Sequence, residues 1–590
     1  MQLGQASVAK SDVRPPCVTS VRSVHSLIKS AIKHSRLAAS LLVVLLATSF
    51  VNAGAQTNPV SPAPQSMSCH MELPPAKDQA PAQSILSGYG DGGFPIQTAS
   101  GEAQAYFNNG MQLGHAFAHR SSAAAFRRAA QIDPLCAMCF WGEAWARGPS
   151  INFTIDNATQ AELARLADHA AALAKDSPER ERALIAALQE RYKDGGGKGE
   201  GDQRYARAMD ALAQAYPTDN EIAIMAADAW MIPASQENTQ NHLDRVIQIL
   251  EQALQRAPNN TGVIHLYIHA TEMDGVAAEA LPYAEKLEAL APAASHLVHM
   301  PSHTYFSVGR YQDAEQSNLH AVAIDLRNAE RLKPQGGVFG LGYHDHNVIY
   351  GEEAALMDGD SKNGLALAAS EVEQIPNLKP NAIFQQYELG EAYIVYGRYG
   401  SESDINGLAD PGESLPFART LWHYARSEAA VRRGDVAAAK EELSRVALTN
   451  EQSSSFRDSF PQASDLVDIA HLVLLGRTAM MEKHFSDAEA LFRDAAEKQE
   501  TKLATLVDPS GWWYPVRRSV AAALLAQGNY KAAMVEAKQA LLHWPNDPVS
   551  LRILSDSETR LGYLEGAQSH LRLARSAWMT DIDALPLSLM

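Results

Sequence analysis

Two histidine pairs in this sequence share the same internal spacing: His265 with His269, and His299 with His303. Residues four apart on an α-helix share one face, so each pair presents two imidazoles in one direction. The second pair follows the first by 34 residues, and Pro258 with Pro292 and Ala280 with Ala314 keep that offset. Equivalent slots on neighbouring helices about 8–10 Å apart bring such side chains within reach of one ion. His296 lies one turn before His299, and Glu272 three residues after His269. Aligning Gly309 with Gly359 puts His346 in the slot of His296 and Glu353 in the slot of His303. The candidate ligands are therefore His265, His269, His296, His299, His303 and His346, with His344 at the rim. Imidazole and carboxylate donors at this density suit zinc, copper or iron.

An open coordination position would let a bound water act as nucleophile, with Glu272 or Glu353 as the candidate base. The His-Glu-x-x-His order of metalloproteases is absent from the sequence. Two other readings stand beside the metal one: a polar groove for an extended peptide or partner helix, and histidines hydrogen-bonded in packing. Pro301, between His299 and His303, is compatible with a helix only in a first turn or at a kink. A helix starting near Ser302 would break the row.

Such a row needs helices at a fixed repeat. From about residue 101 the chain reads as alanine-rich helices, and helical-hairpin markers recur. Gly110, Phe126, Ala129 and Pro134 form one set, and Gly309-Arg310-Tyr311 with Ala314 another. Phe485, Ala488, Phe492 and Ala495 follow, then Gly528-Asn529-Tyr530 with Ala533, Ala537, Ala540 and Pro545. These residues resemble the tetratricopeptide repeat superfamily, whose unit is two antiparallel helices in about 34 residues. The resemblance implies an all-α fold, an α-solenoid of tetratricopeptide-like hairpins. It also implies that the histidine slots face the concave groove, where solenoids bind a protein or peptide partner. Glycine- or proline-rich insertions interrupt the spacing at 194–199, 334–342 and 400–416.

The organisation expected is a signal peptide over 1–55, a proline-rich leader over 56–100, N-terminal repeats with the histidine-rich groove over 101–360, and C-terminal repeats over 361–590. The apolar run 37–51 follows Lys29, Lys33 and Arg36 and precedes Ala53-Gly54-Ala55, the order of a secretory signal. Export to a periplasm or the exterior is the expected localisation. Cleavage after Ala55 would leave 44 basic and 67 acidic side chains, a net charge of −23 against −18 for all 590 residues. That balance excludes non-specific nucleic-acid binding, and no span long enough to cross a membrane follows the signal.

Cys136 and Cys139 read as a structural disulfide or free thiols, with a redox couple or half a metal site as alternatives and Cys69 as another partner. Phe140 stands where a c-type haem motif needs histidine, Gly199 where a phosphate loop needs serine or threonine. Trp141 and Trp145 share a helix face and read as packing. Trp512-Trp513-Tyr514, between Pro509 and Pro515, reads as a turn open to ligand contact, and His115 with His119 as structural or second-tier ligands.

Overall fold

The alanines and glycines that mark the repeats let helix backbones approach closely. A Cβ at Gly110 would lie 2.7 Å from the Phe126 ring, and one at Gly142 would lie 2.3 Å from the same ring. Phe126 thus locks three helices together: Gly101–His115, His119–Ile132 and Ala137–Ala146. The computed structural model describes residues 80–590 apart from 196–198, 238–239, 380–381, 449–455, 459, 505, 507 and 509. Among them the chain runs in consecutive packed helix pairs from Gly101 to Ala577, with no β-strand. The architecture is an all-α solenoid of tetratricopeptide-like hairpins. Among the described residues no helix is long and apolar enough to cross a membrane. The expected signal at 37–51 and Cys69 lie outside the described residues.

The described residues fall in one compact unit. It contains two large apolar cores, one built on Phe107, Trp141 and Ile268, the other on Tyr393, Leu421 and Trp513. The first reaches Leu297, Met300 and Tyr343, and the second reaches Tyr311 and Ile349. The histidine row sits on those same helices, at the seam.

Two features close the solenoid over this seam. Residues 80–100 run without helix across the early repeats: Ala82 N donates to Ala124 O, Ala293 N to Gly88 O, and Asp91 N to the Thr261 hydroxyl. Tyr89 and Phe94 are buried there. The last repeats fold back onto the middle ones, where Tyr311 donates to Pro545 O at 3.0 Å and Met579 N to Asp358 O at 2.7 Å. Gly309 permits this approach: its φ is +75°, and any Cβ would collide with the Pro545 carbonyl.

Candidate metal centre

Three helical segments carry the donors. The helix Thr261–Met273, capped by the Asn260 side chain on Val263 N, holds His265 and His269 with Glu272 in its last turn. Ser295–His299 and Pro301–Ser307 meet at Met300, whose φ of −50° and ψ of −36° keep the backbone helical. Pro301 takes the first position of the second segment, where its missing N–H costs little. The row His296, His299, His303 is therefore continuous, and the break near Ser302 does not occur. His346 and Tyr350, one turn apart on the helix His344–Asp358, complete the wall.

The donors fall into two adjoining sets. In one, ligand atoms of His265, His269 and His296 all lie within 4.8 Å of one another, and in the other those of His299, His303 and His346 do. A mixed group of His269, Glu272, His303 and Asp508 meets the same criterion and joins them. Across the junction the His269 and His303 rings are 5.3 Å apart and those of His296 and His299 5.7 Å.

Hydrogen bonds fix which ring nitrogens face inward. His265 Nδ1 lies 2.7 Å from the carbonyl oxygen of His115, which can only accept, so Nδ1 carries the proton. Its Nε2 lone pair points at His296 Nε2, 3.1 Å away. Asn318 spends its amide on Ala314 O and turns Oδ1 to His299 Nδ1 at 2.6 Å, so His299 also presents Nε2 as a lone pair. His303 donates from Nδ1 to Glu272 Oε2 at 2.8 Å, and its Nε2 lies 2.8 Å from His299 Nε2. Two lone pairs at that distance repel unless a proton or a metal ion lies between them. Tetrahedral zinc with bonds of about 2.0–2.1 Å sets ligand nitrogens about 3.3 Å apart, so this pair would open by about half an ångström around an ion.

Charge differs between the sets. All six histidines are 0–3% exposed. Burial lowers His265 to about 3 and His346 to about 4, and drives His269, His296 and His299 well below the ordinary imidazole range. Burial also opposes charge on His303, but the Glu272 and Asp508 carboxylates outweigh it and raise His303 to about 9. With no metal, the shared proton therefore sits on His303. Asp508 Oδ1 accepts from the Tyr350 hydroxyl at 2.7 Å and lies 3.5 Å from His346 Nε2 and 3.7 Å from His303 Nδ1.

A chamber of about 750 Å3 adjoins the first set, with Phe117, His296 and Tyr343 on its wall and the insertion at 334–342 on its rim. Phe117 stacks against His296 at 5.3 Å and meets His265 edge-on at 4.3 Å. It does so at a φ of +53°, a strained value for a side chain of this size. His296 Nδ1 and His269 Nε2 are buried without a hydrogen-bond partner.

The structure brings all six sequence-derived ligands together, and Glu272 with them. Two expectations change. The histidine row is enclosed rather than exposed in an open concave groove, because Phe117, Tyr343 and the segment at Asp508 cover it. His344 is turned to Asp325 at 3.3 Å instead of the row. Glu353 accepts from Ser510 Oγ at 2.9 Å and is not among the donors of either set. Trp512 and Trp513 are buried in the second core, and Trp141 stacks on Trp145 at 6.1 Å within the first. Cys136 and Cys139 form a disulfide. His115 contributes through its carbonyl, while its ring pairs with Glu221 at 2.8 Å. Tyr350 escaped the sequence reading although its spacing from His346 signals a shared face. Asp508 carries no local signal at all, since only the fold-back brings it here.

No protein-family model matches the chain, and no curated protein matches it. Solved structures that align with it are helical-repeat proteins. The human IFIT1 dimer with PPP-AAAA is 14% identical over 81% of this chain and 92% of its own, with a TM-score of 0.29. The APC/C hetero-tetramer Cut9–Hcn1 is 13% identical over 84% and 76%, at 0.28. Yeast Tom70 is 12% identical over 82% and 93%, at 0.32. These scores are too low to carry an argument about ligand or activity.

Proposed function

We propose that this chain is an exported, tetratricopeptide-type binding protein that holds transition-metal ions, zinc, copper or iron, in a buried six-histidine centre. One ion belongs to each three-histidine set, two per chain. The observation that carries this reading is the convergence of a ring nitrogen from each of His299, His303 and His346 within 4.8 Å, with Nδ1 of His299 and His303 already committed to acceptors. Each Nδ1 partner also does what outer partners of metal-bound histidines do, fixing the tautomer and ring orientation. Metal would displace the proton on His303, so binding releases it. Export is supported by the signal-like run at 37–51 and by the Cys136–Cys139 disulfide, a bond suited to an oxidising compartment.

A second reading is a metal-dependent enzyme, a hydrolase or oxidoreductase. The chamber favours it, because a small molecule entering there meets His296 first. A protein or peptide partner would have to use surface other than the enclosed histidine row.

Elemental analysis of the purified full chain tests the proposal: two transition-metal ions per chain are expected, with a lower Tm after chelation. Metal-free protein with a Tm indifferent to both chelator and added zinc, copper or iron would sink it.

A further inference from the structure

A different set of buried donors lies on the next three helices. Asp345 stands in the first turn of His344–Asp358, Glu371 in the last turn of Ser361–Val372, and Glu388 near the start of Ile383–Tyr399. One carboxylate oxygen from each lies within 4.8 Å of the other two. Every charged group acting on Glu371 and Glu388 is another carboxylate, and His344, beside Asp345, is held by Asp325. Glu371 Oε1 has no hydrogen-bond partner, and the Glu388 and Asp345 side chains bond to each other, carboxyl to carboxyl, rather than to a donor from elsewhere.

An acidic cluster alone would say little, but Glu352 adds an independent sign. It is seven residues after Asp345 on the same helix and therefore on the same face. Its side chain is 0% exposed, and neither carboxylate oxygen has a partner. The charged group that acts on it most strongly is Glu371. Its carboxylate thus lies among those of Glu371, Glu388, Glu391 and Glu353, buried from solvent and with no basic side chain among the groups that act on it. Buried carboxylates without a counter-charge are costly, and the C-terminal end of the Glu371 helix disfavours further negative charge while favouring a cation.

We propose that Asp345, Glu371 and Glu388 form a second cation site, for a hard divalent ion of the Ca2+ or Mn2+ class, with Glu352 supplying negative charge beside it. All-oxygen donors select hard ions and leave zinc and copper to the histidines. A closed, protein-only set suits Ca2+ or Mn2+ better than Mg2+, which keeps its waters. The site uses none of the histidine donors and stands or falls apart from the histidine centre.

The test uses the full chain, stripped with chelator, saturated with Zn2+ and dialysed against Ca2+ or Mn2+. One Ca2+ or Mn2+ per chain is expected, with a Tm that rises with ion concentration. Whichever ion is retained names the occupant. Glu371→Gln with Glu388→Gln should weaken that ion at least tenfold and leave zinc content unchanged. His299→Ala with His303→Ala should do the reverse. The proposal is overturned if the native chain takes up neither ion at millimolar concentration and the glutamine variant melts no lower, the pattern of carboxyl groups bonded to one another. Should the variant fail to fold, the electron spin-echo spectrum of Mn2+ on the native chain decides: oxygen-only ligation supports the site, and nitrogen coupling overturns it.

Discussion

The two histidine sets differ in what stands behind their donors. His265, His269 and His296 are backed by a carbonyl and by aromatic rings, with Phe117 and Tyr343 beside His296 on the chamber wall. His299, His303 and His346 are backed by Asn318, Glu272, Tyr350 and Asp508. The first set is neutral and meets the two carboxylates only at His269, while the second is backed by both, which offset an ion's charge. The comparison teaches that equal imidazole counts can present different chemistry: on the proposed reading the second set would retain an ion firmly, and the first would hold one within reach of a small molecule.

Removing ligands breaks the comparison most severely. His299→Ala with His303→Ala should cost the second ion at least about 100-fold in affinity, beyond the 10–100-fold of an outer-partner change, and leave the first. His265→Ala with His269→Ala should give the mirror result. Elemental analysis and zinc titration distinguish one lost ion from two, and loss of both ions in either variant would merge the sets into one site.

Acid comes next. His265 and His346 have folded values of about 3 and 4 against about 6.5 unfolded. Below pH 6.5 the unfolded chain binds protons that these folded rings refuse. Stability of the chelated protein should therefore fall as pH drops from 6.5 towards 4, by about 1.4 kcal/mol per pH unit for each such histidine. His303 acts oppositely: its contribution is complete below pH 6.5 and fades as pH rises through about 9. Denaturant titrations between pH 4.5 and 9 test both limbs, and a flat profile between 6.5 and 5 would refute neutral buried imidazoles.

Asp508→Asn is expected to weaken the second ion by about 10–100-fold with the first unaffected. Phe117→Ala should cost about 3 kcal/mol from the cavity and hasten chelator capture of the first ion only, read by stopped-flow zinc release. The smallest effect belongs to Glu353→Gln. Glu353 is bound to Ser510 and is not among the donors of either set, so ion content should not change. A lost ion would restore it as a participant.

The histidine pairs were legible because a helical repeat carries equivalent slots at a constant offset, and Pro258 with Pro292 confirmed the register. Pro301 looked like an interruption, yet a proline in a first helical position leaves the turn intact. His346, which the alignment proposed, lies beside His299 and His303, whereas Glu353 on the same helix accepts from Ser510. One residue had a neighbour waiting in the row, and the other met Ser510 from the returning chain.

By itself the sequence determined the helices, their pairing and the direction in which six imidazoles point, since all of these follow from spacing along a 3.6-residue turn. Only the tertiary structure decided that the row is enclosed, that Asp508 and Tyr350 add charge and hydrogen bonds to one half of it, and that Phe117 stands over the other. Those outcomes depend on how the solenoid closes, with Gly309 against Pro545 and the segment at Asp508 against His346. Closure is set by contacts between residues far apart in the chain, and no local periodicity records it.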